Sequence, residues 1–562
     1  MSLFPCAILP WFIVVSPAAQ ESPPASAENR VPSWLMEARW YYLDVSRFHN
    51  GDPENDPEGC TPWTAAYLAE AKSLGEGGSA EPRDGRYCPK VFGGDIAGLI
   101  KRLPYLKSLG INVVCLSPVF HGTTAVKRGP ADLRHVDPSL GPESSAAELN
   151  GETDDSKTWK WSAADQLFRD FVAQAHALGI RVTLRGFLGT AQRLFNPVVQ
   201  AETYLLAVTS RWLDPNGDGD PSDGIDGWIH APEDQLRRPN DKFSESFWKT
   251  WKAHVRKINP NAVIVGDAPG GSLKDSTFFD AGTNVRESAH IQQFFSNQKG
   301  SSAATEFLRN VAPSRLPGAS ATPVSADWNL LSQPLTGRLL TMIVPSERAA
   351  DQQRAGIQST PPSETDRDRW KLATVFQHFH CGAPVTFSGD EVGMYGERGR
   401  LYCPQPMWWN DLPDPSTKAA EFRGDFYALI QWLHQLREKH PALRAGGWRI
   451  VTVDDDRKLF AVARTLPEDE LILVMNYGSA KQLLQLSAGR PGQLAAVMSP
   501  HLRRLPPRRT RRDAPPAAVD NTLIQPLGFN GNRQFVNPQG QLRLWIEPLS
   551  VRVVFLEARE PS

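Results

Sequence analysis

The sequence predicts an α/β protein: an eight-stranded (β/α)8 TIM barrel followed by a C-terminal all-β sandwich domain. Three observations carry this. Helical stretches with a periodic apolar face alternate with short apolar, strand-like runs through most of the chain. Glycines punctuate the helix ends, as Gly110 and Gly179 do, where a left-handed cap suits them. From about Gly446 the period changes from helical to alternating.

The elements follow in order. ARWYYLDVSRF (Ala38 to Phe48) reads as the first strand, and DIAGLIKRLPYLKSLG as a helix leading into strand INVVCLSP. WSAADQLFRDFVAQAHALG is a helix before strand IRVTLRGF, and AETYLLAVTSRWLD a helix before the short run GWIH. FSESFWKTWKAHVRKI precedes strand AVIVGDA, and RDRWKLATVFQHFHCG precedes APVTFSGDE. Helix FYALIQWLHQLREKHPAL closes the barrel region. Then WRIVTVD, KLFAVARTL, LILVMNYG, LLQLSAG, LRLWIEP and SVRVVFLEA read as strands, interrupted by the basic, Pro-rich HLRRLPPRRTRRDAPPA, a solvated loop. The boundaries expected are a leader over residues 1–20, a linker over 21–38, the barrel over 39–445 and the β-domain over 446–562.

With 562 residues the chain can bury a large core, and 41% hydrophobic with 22% charged residues suit a globular protein. A net charge of −1 provides no field for nucleic acid or an anionic membrane. Of the 17 tryptophans, most are expected in the core and a few on loops, where they can stack on sugar rings. The apolar run Phe4 to Val15 is too short to span a bilayer. Small residues Ser16, Ala18 and Ala19 follow it as at a signal-peptidase site, so export to a secreted or periplasmic location is expected. In that case Cys60 and Cys88 can pair, whereas Cys115 in NVVCLSPVF reads as a buried thiol.

The stretches YYLDVSRFHNGDPENDPEG, FGGDIAGLIKRLPYLKSLGINVVCLSPVF, ADLRHVDPSLG, RWLDPNGDGDPSDGIDGW, INPNAVIVGD, NLLSQPLTGRLLTMIV and SGDEVGMYGE together resemble the α-amylase family (glycoside hydrolase family 13), in particular its neopullulanase and cyclomaltodextrinase members. The resemblance implies a (β/α)8 barrel acting on α-glucans through an Asp nucleophile, a Glu acid/base and a second Asp. Retaining chemistry needs two carboxyl groups roughly 5–5.5 Å apart, one attacking the anomeric carbon and one protonating the leaving oxygen.

Position by position, this chain departs from that pattern. The family's strand-four Gly-x-Arg-x-Asp stands here as Gly227-Trp228-Ile229-His230-Ala231, so Ala231 replaces the nucleophile and Ile229 the arginine. The strand-five Glu becomes Asp267, a carboxylate one methylene shorter, and the strand-seven His-Asp pair becomes Pro334-Leu335. The strand-three Asp-x-x-x-Asn-His falls at Arg185, Gly189 and Thr190, and the sugar-gripping Tyr-Asp near Arg128-Gly129. The stretch after strand three, where the family inserts its domain B, is short. Glu233 and Asp234 are the nearest substitutes for the nucleophile, but Pro232 redirects the chain there and misplacement of about 1 Å can cost roughly 100-fold in rate. His230 reads as a packing histidine, and Asp390 and Glu391 as structural.

HNGDPENDPEG resembles the family's calcium loop. Asn50, Asp52, Asn55 and Asp56, with Gly93 by its carbonyl and Asp95, offer hard oxygen donors suited to Ca2+. DPNGDGDPSDG begins like an EF-hand loop but has Ile225 where the bidentate Glu is needed, so it reads as a tight turn. The expectation is therefore a non-catalytic homologue binding an α-glucan or scaffolding another protein. Its rivals are an active hydrolase or transglycosylase with relocated carboxylates, pairing Asp267 with Glu233 or Asp234, and a purely structural protein-interaction module.

Overall fold

The structure is a computed structural model describing residues 31–60, 92–121, 132–142, 148–185, 198–230, 245–266, 279–283, 290–291, 293–296, 303–311, 330–331, 363–394, 406–409, 424–487, 494–498 and 532–556. Eight parallel strands form one sheet: β1 (Trp40–Leu43), β2 (Val113–Leu116), β3 (Arg181–Arg185), β4 (Gly227–His230), β5 (Val263–Gly266), β6 (Ala281–Thr283), β7 (Leu330–Leu331) and β8 (Val385–Phe387). Their order is 7-6-5-4-3-2-1-8, so β8 returns to pair with β1 as a barrel requires. The first strand is shorter than the sequence suggests, because Asp44 caps a 3-10 turn at Val45–Arg47 through Ser46 N–H. Strands β6 and β7 are three and two residues long, too short for any period-2 pattern to show.

The helices are α1 (Ile96–Leu109), α2 (Ala163–Ala177), α3 (Val198–Leu213), α4 (Glu245–Ile258), α5 (Ala304–Val311), α6 (Glu364–Phe379), α7 (Gly424–Lys439) and α8 (Ala442–Ala445). Local chemistry sets their ends. Ser162 with Asp165, and Ser363 with Asp366, form reciprocal capping boxes that satisfy the first-turn amides. Gly110 ends α1 in the left-handed conformation. The chain passes from the end of β3 at Arg185 to the start of α3 at Val198 with only residues 186–197 between, which leaves no length for an inserted domain.

Side chains alternate across the barrel wall. Trp40, Val113, Cys115, Ile229, Val263, Val265, Ala281 and Val385 fill the lumen, and Leu35 and Ala38 join them from the segment preceding β1. Tyr41, Val114, Val182, Trp228 and Ile264 face the helices. Two aspartates pin the strand starts in the same way. Asp226 Oδ2 accepts from Val182 N–H while its own N–H donates to Val182 O, and Asp280 does this with Ile264. Gly227 opens β4 at φ 151°, and a Cβ there would lie 2.2 Å from Val263 O, so only glycine lets β5 approach.

The C-terminal domain stacks a six-stranded antiparallel sheet on the two-stranded sheet β12 (Gln482–Ser487) and β15 (Gln541–Ile546). The larger sheet comprises β9 (Gly447–Asp454), β10 (Leu459–Leu466), β11 (Asp469–Asn476), β13 (Leu494–Met498), β14 (Asn532–Phe535) and β16 (Ser550–Leu556). β10 and β11 are apolar without alternation because both faces of the sheet are covered. Phe460, Val462, Leu471 and Leu473 face the barrel core, while Leu459, Ala461, Ile472 and Val474 face the small sheet. β12 and β15 do alternate, having one face in the core and one in solvent. The fully buried Arg464 joins the two domains by donating to Phe379 O, His380 O and Gly446 O. Among the described residues, no helix is long and apolar enough to cross a membrane. The leader-like residues 1–20, Cys88 and the basic segment 501–517 lie outside the described residues.

Candidate functional site

The mouth of the barrel is formed by inward residues at the strand C-termini. Tyr42 of β1 stacks on Phe387 of β8, with ring centroids 5.4 Å apart and planes at 19°. Arg185, the last residue of β3, donates from Nη1 to Tyr42 Oη at 3.1 Å, and its guanidinium carbon lies 5.4 Å from that ring's centroid. Burial raises the Tyr42 pKa and Arg185 pulls it partly back; the net direction is up, so the phenol keeps its proton at neutral pH.

Ile229 is the register partner of Arg185 on β4. It is 5% exposed and belongs to the lumen cluster, whereas its neighbour Trp228 faces the helices. The mouth thus carries a cation where the resemblance implies a carboxylate, and an alkyl group where it implies a guanidinium. The backbone of His230 pairs with Gly266, the last residue of β5. Ala231, Pro232, Glu233, Asp234, Asp267, Pro334, Leu335, Gly189, Thr190, Arg128 and Gly129 lie outside the described residues.

Beneath the mouth, Glu391 is fully buried. Its Oε1 accepts from Tyr41 Oη at 2.6 Å and Tyr105 Oη at 2.9 Å, and its Oε2 accepts from Gly389 N–H at 2.9 Å. Burial raises its pKa, against the pull of these donors. The Glu391 of SGDE therefore ties β1, α1 and the turn after β8 together, which is a structural role.

A second buried cluster escaped the sequence reading. His135 places Nδ1 2.7 Å from Asp165 Oδ2 and Nε2 2.9 Å from Glu152 Oε2. Asp165 also accepts from Val136 N–H at 2.7 Å and from Arg211, and Arg134 lies 3.6 Å from Glu152. Burial alone would lower the His135 pKa, but the two carboxylates outweigh it and hold it above 6.5. The signal that could have flagged this cluster is ADLRHVDPSLG, in which His135 lies among charged residues.

The metal loop is compact. Asn50 Nδ2 donates to both Asp56 oxygens at 2.9 and 3.1 Å, while the buried Oδ1 atoms of Asn50 and Asn55 have no hydrogen-bond partner. A Cβ on Gly93 would lie 1.6 Å from Asp56 Oδ1, so glycine is required there. Burial raises the Asp56 pKa, and nearby Asp52 adds to the rise. Two unsatisfied carbonyl oxygens beside a partly buried carboxylate fit a hard cation. Asp95 is occupied otherwise: it caps α1 through Gly98 N–H at 2.5 Å and accepts from Gly51 N–H, Asp52 N–H and Asn55 Nδ2. Among the described residues no cluster of three His, Cys, Asp or Glu side chains gathers as for a metal. In DPNGDGDPSDG the carboxylates of Asp214, Asp218 and Asp220 accept from backbone N–H groups, forming a turn.

The family profile described as alpha amylase, catalytic domain, matches residues 43–157. A cyclomaltodextrinase from a Bacillus species is 26% identical over 82% of this chain and 76% of its own length. Neopullulanase 2 of Thermoactinomyces vulgaris is 26% identical over 82% of this chain and 73% of its own. Among solved structures, a cyclomaltodextrinase superposes with a TM-score of 0.61 at 21% identity, covering 93% of this chain and 79% of that one. A cyclic alpha-maltosyl-(1-->6)-maltose hydrolase from Arthrobacter globiformis gives 0.60 at 18% identity, covering 93% and 99%. In its motifs and in these relatives the chain is similar to the α-amylase family of glycoside hydrolases, and it shares the fold of the solved structures.

Proposed function

We propose that this chain is a catalytically silent member of its family whose barrel is kept as an α-glucan-binding or scaffolding module. The observation that supports this reading is the register pair Arg185 and Ile229 at the barrel mouth. The family's reaction concentrates negative charge there; this mouth carries a cation bonded to Tyr42, beside an alkyl chain packed into the lumen. The substitutions at Ala231 and Leu335, with Asp267 as the only remaining carboxylate of three, extend the same loss in sequence. Removing members of a catalytic unit abolishes most of its rate, on the order of a million-fold in one protease series.

The test is an assay of the full chain on β-cyclodextrin, pullulan and soluble starch, beside calorimetry with maltoheptaose. Binding without release of reducing sugar is expected. Turnover that disappears in Asp267→Ala overturns the reading and favours a hydrolase or transglycosylase pairing Asp267 with Glu233 or Asp234, a rival favoured by the enzymatic names of the relatives. Neither binding nor turnover favours a protein-interaction module.

The proposal includes a structural Ca2+ held by Asn50, Asp52, Asn55, Asp56 and the Gly93 carbonyl, with Asp95 bracing the loop through the Gly51 and Asp52 amides rather than reaching the ion. The ion would neutralise the partly buried Asp56 and satisfy the two asparagine oxygens, fixing the loop that follows β1. It also includes export, on the strength of the leader-like N-terminus.

A further inference from the structure

The solvent face of the β12–β15 sheet carries an aromatic platform. Trp545 is 56% exposed, although Leu544 and Ile546 beside it are buried in the domain core. Register places Leu483 opposite Trp545 and Gln485 opposite Arg543, and alternation puts all four on the outer face. Lys481 Nζ lies 5.5 Å from the indole centroid and 2.7 Å from Glu547 Oε1. Gln485 donates to Gln541 across the strands, and Arg457 braces one edge through Gln482 and the Leu483 carbonyl.

We propose that this face binds a neutral α-glucan chain at a site separate from the barrel mouth. A pyranose presents a C–H face bordered by hydroxyls. The indole offers a flat apolar surface with a negative π face to the C–H groups. The hydroxyl rim needs donors and acceptors near the ring plane. Arg543 supplies donors, Glu547 acceptors, and Gln485 with Gln541 both. Same-face neighbours on a strand stand roughly 7 Å apart, so Trp545 and Arg543 can engage successive parts of one sugar chain.

Charge selects this occupant over a polyanion. Lys481 is matched by Glu547 and Arg457 lies 3.7 Å from Asp454, so these pairs offset and Arg543 leaves the face only a small positive excess, too little for a strong field. Its polarity also selects against a protein partner, since Leu483 and Trp545 are the large apolar groups exposed on this sheet. The inference rests on the reading above only in taking a glucan rather than another polyol as the ligand.

The experiment is native electrophoresis of the full chain through gels containing soluble starch, with calorimetric titration of maltoheptaose. The wild-type chain should be retarded. Trp545→Ala should weaken binding by about tenfold or more, as truncating a central Trp does at binding sites. Trp545→Phe should keep part of the retardation, and all variants should keep the parental melting temperature because the ring is largely in solvent. Arg185→Ala tests the barrel mouth in the same assay. Retardation unchanged in Trp545→Ala but lost in Arg185→Ala overturns this site and leaves glucan binding at the barrel mouth standing. Absence of retardation in the wild type overturns both. Retardation by heparin and not by starch overturns the choice of a neutral ligand.

Discussion

Arg185 and Ile229 are paired across β3 and β4, the charged end of one strand against the alkyl end of the next. The guanidinium is drawn to Tyr42 on the other side, so the alkyl group packs with the lumen alone. Ile229→Arg would place a second guanidinium in that apolar lumen, and the expected cost is about 3 kcal/mol or more. Arg185→Asp in the same chain supplies a partner and should return part of this, a coupling within roughly 0.5–3 kcal/mol. Urea denaturation of the four chains measures both. Parental stability in Ile229→Arg would show that the mouth still accommodates the family's arginine.

Removing Glu391 should be among the most damaging single changes. Glu391→Ala leaves Tyr41, Tyr105 and the Gly389 amide without their buried acceptor, and each buried donor left unsatisfied costs about 1–3 kcal/mol. Glu391→Gln keeps an acceptor for the tyrosines but turns an amide donor toward one N–H group, so it should fall between Ala and wild type. Denaturant midpoints give the order.

Calcium should stabilise the chain. A ligand at about 100 times its Kd adds about 2.7 kcal/mol to folding. Melting should therefore shift upward in Ca2+ and downward in chelator, and Asp56→Ala should remove the difference. An identical melting temperature with and without Ca2+ in the wild type would rule out the ion.

The His135 cluster should make stability pH-dependent. Its folded pKa is raised above the ordinary 6.5, so more protons are bound folded than unfolded. The contribution is fully present below about pH 6.5 and is lost as pH rises through the folded pKa. Asp165, Glu152, Arg134 and Arg211 are the charged groups facing the ring. His135→Gln should flatten the decline above pH 6.5 relative to wild type. Parallel pH profiles for the two chains would exclude the linkage.

The helices and the larger strands were legible because their signals are local. Capping residues Ser162 and Ser363 and the stop at Gly110 stand within a few residues of what they control. β6, β13 and β14 were not read as strands, being short or next to Pro- and Arg-rich sequence. At the site, the places of Arg185 and Ile229 at the strand ends were legible from the sequence, but their neighbours were not. Tyr42 meets Phe387 and Arg185 only when the sheet curls to bring β8 beside β1. The His135 cluster likewise joins residues 17 and 30 positions apart, and no period in the sequence marks such a meeting.

The buried Arg464 has a consequence for synthesis on the ribosome. It satisfies carbonyls at the end of α6, immediately before the strand that closes the barrel against β1, and it lies 84 and 85 residues downstream of them. A nascent barrel therefore lacks the donor for these two carbonyls until β10 has left the exit tunnel. Truncation before Leu459 should yield an aggregation-prone intermediate rather than an independent barrel, and the order in which the domains are translated becomes part of how the fold is reached.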